Sequence, residues 1–139
     1  MNRTAVTVVA LMAGLLVGPG VSQAQSWQTR SMTLALKGGE TAELGDLYWV
    51  ISCRSLLTAP PQATILSGPP SVSVEAKESE VTPRLQQCSK PVKGAKLIIK
   101  AGAVEDESET TMTIRVSFST KDGPRQVSYN INLSLFPAQ

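Results

Sequence analysis

Apolar and polar residues alternate with a period of two along most of this chain. That is the repeat of a half-buried strand, not the 3.6-residue repeat of a helix. Met32, Leu34 and Leu36 alternate with polar or small neighbours until Lys37-Gly38-Gly39 ends the run. Leu47 to Cys53 is apolar on both sides, which predicts a central strand with Trp49, Ile51 and Cys53 on one face. Pro60-Pro61 and Gly68-Pro69-Pro70 bracket a short strand from Ala63 to Leu66, and Ser71 to Ala76 sets Val72, Val74 and Ala76 on one side. Glu80 to Gln87 carries Val81 and Leu85 but also Pro83, which confines it to a sheet edge or a bulge. Lys96 to Ala101 reads as a further strand, and the acidic connector Glu105-Asp106-Glu107-Ser108-Glu109 follows it.

The C-terminal third is a hairpin. Met112, Ile114, Val116 and Phe118 alternate with Ser, Thr and Arg; Val127, Tyr129, Ile131, Leu133 and Leu135 alternate with Ser and Asn. Lys121-Asp122-Gly123-Pro124 lies between, and Asp-Gly is a strong tight-turn signal. With Asp122 and Gly123 as the loop, Phe118 faces Val127, Val116 faces Tyr129, Ile114 faces Ile131 and Met112 faces Leu133. These eight residues, with Trp49 and Ile51, form the predicted core.

Seven or eight short strands punctuated by Gly and Pro, each apolar on one face, predict an all-β, two-sheet antiparallel sandwich, with a small closed β-barrel as the alternative. Over most of residues 31–136 the pattern resembles the immunoglobulin-like sandwiches of small secreted bacterial envelope proteins. The resemblance is one of architecture. It departs from a true immunoglobulin domain in placing Trp49 on the same expected strand as Cys53, and in its shorter cysteine spacing. It therefore implies a fold class and no functional residue.

Residues 1–24 have the organisation of a cleavable secretory signal: Arg3, the apolar run Ala5–Gly18, the breaker Pro19-Gly20 and the small residues around Ala24. The run is shorter than the roughly 20 residues of a comfortable membrane span, and no lipid-attachment Cys follows it. Residues 25–139 are then a single exported domain, periplasmic or extracellular and of bacterial type, with no membrane span. An oxidising compartment makes a Cys53–Cys88 disulfide the expected pairing.

Charge and composition narrow the function. With 13 basic and 11 acidic residues, one of them Arg3 in the leader, the mature chain is nearly neutral. It lacks the concentrated basic surface that nucleic acid requires. The chain contains no His, hence no ordinary general base near neutral pH and no common metal ligand. No G-x-S-x-G elbow is present, so no catalytic residue is assigned and no cofactor is implied. Glu105, Asp106, Glu107 and Glu109 are the weak candidates for Ca²⁺. A working Ca²⁺ loop spaces its ligands at alternate positions around a Gly, whereas these acids are nearly consecutive and fit a solvated loop. Lys90, Lys93, Lys96 and Lys100 read as edge protection against strand pairing. Tyr48 points away from Trp49 and is a candidate exposed anchor.

The leading expectation is a non-catalytic interaction or structural module that binds another envelope or secreted protein by edge-strand addition or loop docking. The segments around Pro83 and between Pro60 and Pro70 are the candidate edges. Two alternatives stand beside it: an inhibitor of a protease or lysozyme-type hydrolase, wedging with Thr58–Gln62, and a Ca²⁺ or small-ligand binding protein.

Overall fold

The computed structural model describes residues 28–138. The expected leader, with Trp27, lies outside them. The described residues form nine strands: β1 (Gln28–Lys37), β2 (Thr41–Leu47), β3 (Val50–Ile51), β4 (Arg54–Ser55), β5 (Gln62–Ser67), β6 (Val72–Val81), β7 (Val92–Ala101), β8 (Ser108–Thr120) and β9 (Gly123–Phe136). A single 3₁₀ turn, Arg84–Gln86, sits between β6 and β7. The order β1-β9-β8-β5 makes one sheet, β2-β7-β6 the second, and β3-β4 a separate two-residue ribbon; no sheet closes into a barrel.

Period-two alternation decides which faces meet. On β7, Ala95, Leu97, Ile99 and Ala101 are buried while Lys93 and Lys100 are exposed. On β8 and β9, Met112, Ile114, Val116, Phe118, Val127, Tyr129, Ile131 and Leu133 are all buried. The two inner faces form one continuous apolar cluster with Leu36, Leu47 and Val72. Each fully buried side chain of this size contributes about 1.5–3 kcal/mol through removal from water.

Several local expectations are corrected. The sheets are not wholly antiparallel: β1 runs parallel to β9, from Gln28 beside Val127 to Lys37 beside Phe136. The first strand leads directly into the second sheet through the Gly38-Gly39 turn, so its partner comes from the far end of the chain.

The hairpin register differs by two residues from the expected one. Thr120 pairs with Gly123, Val116 with Val127, Ile114 with Tyr129 and Met112 with Ile131, while Phe118 lies opposite Arg125. A two-residue shift leaves every side chain on its face, so the apolar pattern cannot separate the two registers. The turn does. An Asp122-Gly123 loop would need an N–H from Pro124 to close it, and proline has none. The loop is instead Lys121-Asp122; Gly123 takes the positive φ (105°). Thr120 Oγ1 accepts the Asp122 N–H at 3.2 Å and donates to the Gly123 carbonyl at 2.6 Å.

The expected central strand Leu47–Cys53 does not exist. β2 ends at Leu47, and the chain turns back between β3 and β4 at Ser52-Cys53. Both residues have positive φ, 51° and 60°, the signature of a type I′ hairpin turn without its usual Asn-Gly. Ile51 consequently lies outside the core and is 57% exposed. Pro83 belongs to no strand: β6 continues to Val81, and Pro83 is buried just before the 3₁₀ turn. Lys93, Lys96 and Lys100 ride on the central strand β7, so they guard no edge.

A candidate recognition groove at the open side of the sandwich

The excursion from Tyr48 to Thr58, between β2 and β5, is pinned at many points. Leu47 crosses close to β7 at Gly94, where a Cβ would strike the Leu47 carbonyl oxygen and come within 2.7 Å of Val81 Cγ2. Only glycine permits that approach. Beyond it, the Tyr48 hydroxyl donates to Gln86 Oε1 at 2.7 Å, the Leu56 N–H donates to the Trp49 carbonyl at 2.8 Å, and Ser55 Oγ donates to the Lys93 carbonyl at 3.1 Å. The far end is tied to the β8–β9 turn by the Thr58 N–H to the Ser119 carbonyl and the Lys121 N–H to the Leu56 carbonyl.

The Cys53–Cys88 disulfide, with Cα atoms 5.5 Å apart, joins the β3–β4 turn to the segment after the 3₁₀ turn. Among the described residues, the non-glycine positions with positive φ are Ser52, Cys53 and Gln87. All three sit at or beside the bridge, so local backbone strain is gathered in the loops that the disulfide binds together.

These loops form one wall of a groove of about 770 Å³. It opens between β1 and the last residues of β2, on the side where the two sheets part. Met32, Phe118, Val127 and Tyr129 supply its floor from the inner face of the larger sheet; Tyr48 and Trp49 supply a wall; the segment Glu80–Gln86 supplies the far rim. The Trp49 ring packs against Phe118 with centroids 5.5 Å apart, and the Arg125 guanidinium lies 6.0 Å from the Trp49 centroid, at the outer limit of a cation–π contact. On the rim, Leu85 is 86% exposed. Four aromatic residues thus converge here, leaving only Phe136 and the undescribed Trp27 elsewhere. Sequence reading missed the groove because it placed Tyr48 and Trp49 on opposite faces of a strand that is not formed.

Burial pushes the Tyr129 phenol above its ordinary pKa, and nearby Arg30 offsets only part of that shift. A phenol made harder to ionise is kept in its neutral form, which can both donate and accept a hydrogen bond. Lys96 is held by Glu43 at 3.0 Å on the solvent face, and that bond and charge raise its pKa. Arg30, Arg84, Asp46 and Glu80 also line the groove.

The other candidates fall apart in space. Glu105, Asp106, Glu107 and Glu109 are all exposed, along the β7–β8 connection and the start of β8. Among the described residues no group of three or more acidic, Cys or His side chains is arranged to hold a metal ion. In the Thr58–Gln62 segment Thr58, Ala59, Pro60 and Gln62 are exposed, Pro61 is buried, and Thr58 is bonded at both its N–H and its hydroxyl. Among the described residues no helix is long and apolar enough to cross a membrane. The sequence matches no protein-family model, and no curated protein shows significant similarity to it.

Proposed function

We propose that this protein is an exported, non-catalytic contact module that captures an extended segment of another envelope or secreted protein by strand addition along β1. The observation that carries this reading is a contrast among the four outer strands. Natural sheets blunt their edges with bulges, prolines, short strands or charges. β5 is six residues long, bracketed by prolines and irregular between Ile65 and Ser67. β2 is bulged between Glu43 and Gly45. β6 carries Glu75, Lys77, Glu78 and Glu80 in ten residues.

β1 is the least protected of the four. It runs for ten residues without bulge or proline, and its charges are confined to Arg30 and Lys37. An added strand would gain main-chain hydrogen bonds from this edge, and its alternate side chains would point into the adjoining aromatic groove. The disulfide supports an oxidising location. Hydrogen exchange on the oxidised domain, with and without a captured partner, tests the reading. Binding should protect amides of Gln28–Lys37 that exchange freely in the isolated chain; a bound partner that leaves them unprotected would refute it.

A further inference from the structure

The two loops joined by the disulfide form a tip that is basic and apolar together. We propose that this tip docks the domain on an anionic lipid surface. Ile51 and Leu85 enter the boundary between headgroups and acyl chains, and Arg54, Arg84 and Lys90 rest among the lipid phosphates. The tip lies on the far rim of the groove from the β1 edge, so the proposal stands whether or not β1 captures a strand.

Charge and exposure carry it together. The excursion Tyr48–Thr58 and the connection Thr82–Pro91 contain three bases, Arg54, Arg84 and Lys90, and no acid. All three are exposed, and among the described residues none of them is in an ion pair. Just beyond, Lys93 stands opposite Glu80 on the β6–β7 ladder, so the surplus is confined to the tip. The β7–β8 connection has the reverse bias, with Glu105, Asp106 and Glu107 and no base. Of the three large hydrophobic residues exposed among the described residues, Ile51 and Leu85 lie on these two loops and Leu66 elsewhere. The disulfide holds the loops together, with Cys53 and Cys88 Cα atoms 5.5 Å apart. Leu85 is kept outward by its own turn. The Pro83 carbonyl accepts the Gln86 N–H at 3.2 Å and the Cys88 N–H at 3.1 Å, while Pro83 and Cys88 themselves are buried. A leucine fixed in water by a bonded turn needs little further ordering on docking. Protein interfaces draw their strength from aromatic and Arg anchors seated in pockets. Two protruding aliphatic tips flanked by bases match a bilayer surface instead, where apolar side chains enter and Lys and Arg extend to the headgroups.

Flotation of the oxidised mature chain with lipid vesicles reads the association directly. The chain should rise with vesicles of equimolar phosphatidylcholine and phosphatidylglycerol and stay behind with phosphatidylcholine alone. It should leave the anionic vesicles when ionic strength is raised to about 1 M, where the Debye length falls to about 3 Å. Arg54→Ala and Lys90→Ala should each weaken association about fivefold, and Arg84→Glu, which reverses a charge, about thirtyfold. Ile51→Ser and Leu85→Ser should each weaken it at least about tenfold. Their circular dichroism should be unchanged, because neither side chain belongs to the core cluster. Leu85→Trp should add emission that brominated lipid quenches. No association with the anionic vesicles at low salt overturns the inference, and so does an association indifferent to the charge variants and to both serine variants. Capture of soluble polyglutamate as strong as that of the vesicles, with the Leu85→Trp emission unquenched, assigns the tip to an acidic protein and overturns it as well. None of these results bears on protection of Gln28–Lys37 by a protein partner, so this inference and the proposed function fail separately.

Discussion

Removing the Cys53–Cys88 bridge should cost this fold about 4 kcal/mol. The bonded cysteines are 35 residues apart in sequence, and the chain-entropy relation for a loop of that size gives about 3.8 kcal/mol at 25 °C. A competing effect must be weighed. If the bridge forced Ser52, Cys53 and Gln87 into their left-handed conformations, cutting it would return roughly 1–2 kcal/mol for each residue that relaxed, leaving little net loss. The structure argues against that release. The Ser52-Cys53 turn is closed by the Val50–Ser55 and Ile51–Arg54 pairs, and the Gln87 N–H is bonded to the Arg84 carbonyl; neither depends on the sulfur atoms. The full entropic loss should therefore appear. Urea unfolding of the oxidised chain, its reduced form and the Cys53→Ala/Cys88→Ala variant, extrapolated to water, measures it. The matching fall in melting temperature should be about 15 °C for a domain of this size. A loss below about 1.5 kcal/mol, with native spectra retained, would show that the bridge holds a strained loop and would refute the argument.

Three further outcomes follow from particular contacts. Gly94→Ala should destabilise by about 3 kcal/mol or more by chemical denaturation, because its Cβ has no free volume between Leu47 and Val81, and it should also quench or shift Trp49 emission by displacing the groove wall. Ile114→Ala should cost about 2–5 kcal/mol, since Ile114 is fully buried, while Ile51→Ala should change stability by less than about 0.5 kcal/mol; equal losses would contradict the assignment of Ile51 to the surface. Tyr129 contributes a pH dependence at the alkaline end. Its folded pKa is raised, chiefly by burial, so its contribution is fully present below the unfolded value of about 10 and is lost as pH rises through the folded value. Tyr129→Phe should flatten that alkaline fall in melting temperature, and an unchanged profile would exclude Tyr129 as its source.

The proposed recognition site was legible only in parts. The β1 alternation was visible in Met32, Leu34 and Leu36, and so was the proline-bracketed segment that becomes β5. The significance of β1 was not, because being an edge is a property of strand order. The groove was hidden for a related reason: Tyr48, Trp49, Phe118 and Tyr129 come from distant parts of the chain. Their convergence depends on a reversal at Ser52-Cys53 that carries no Asn-Gly signal.

By itself the sequence determined what local physics can determine. Alternation at period two dictated strands; its apolar phase dictated which residues of β8 and β9 face inward; two cysteines permitted one internal bridge. The hairpin register was local too: a two-residue shift leaves the apolar pattern unchanged, and Pro124, with no N–H to close an Asp122-Gly123 loop, selects between the two. Tertiary structure alone decided the rest. The parallel docking of β1 on β9 depended on which edge remained vacant once the hairpin had formed. Burial has a period along the chain and can be read from it, whereas pairing between distant strands is chosen by the whole set of competing edges, which exists only when the chain has folded.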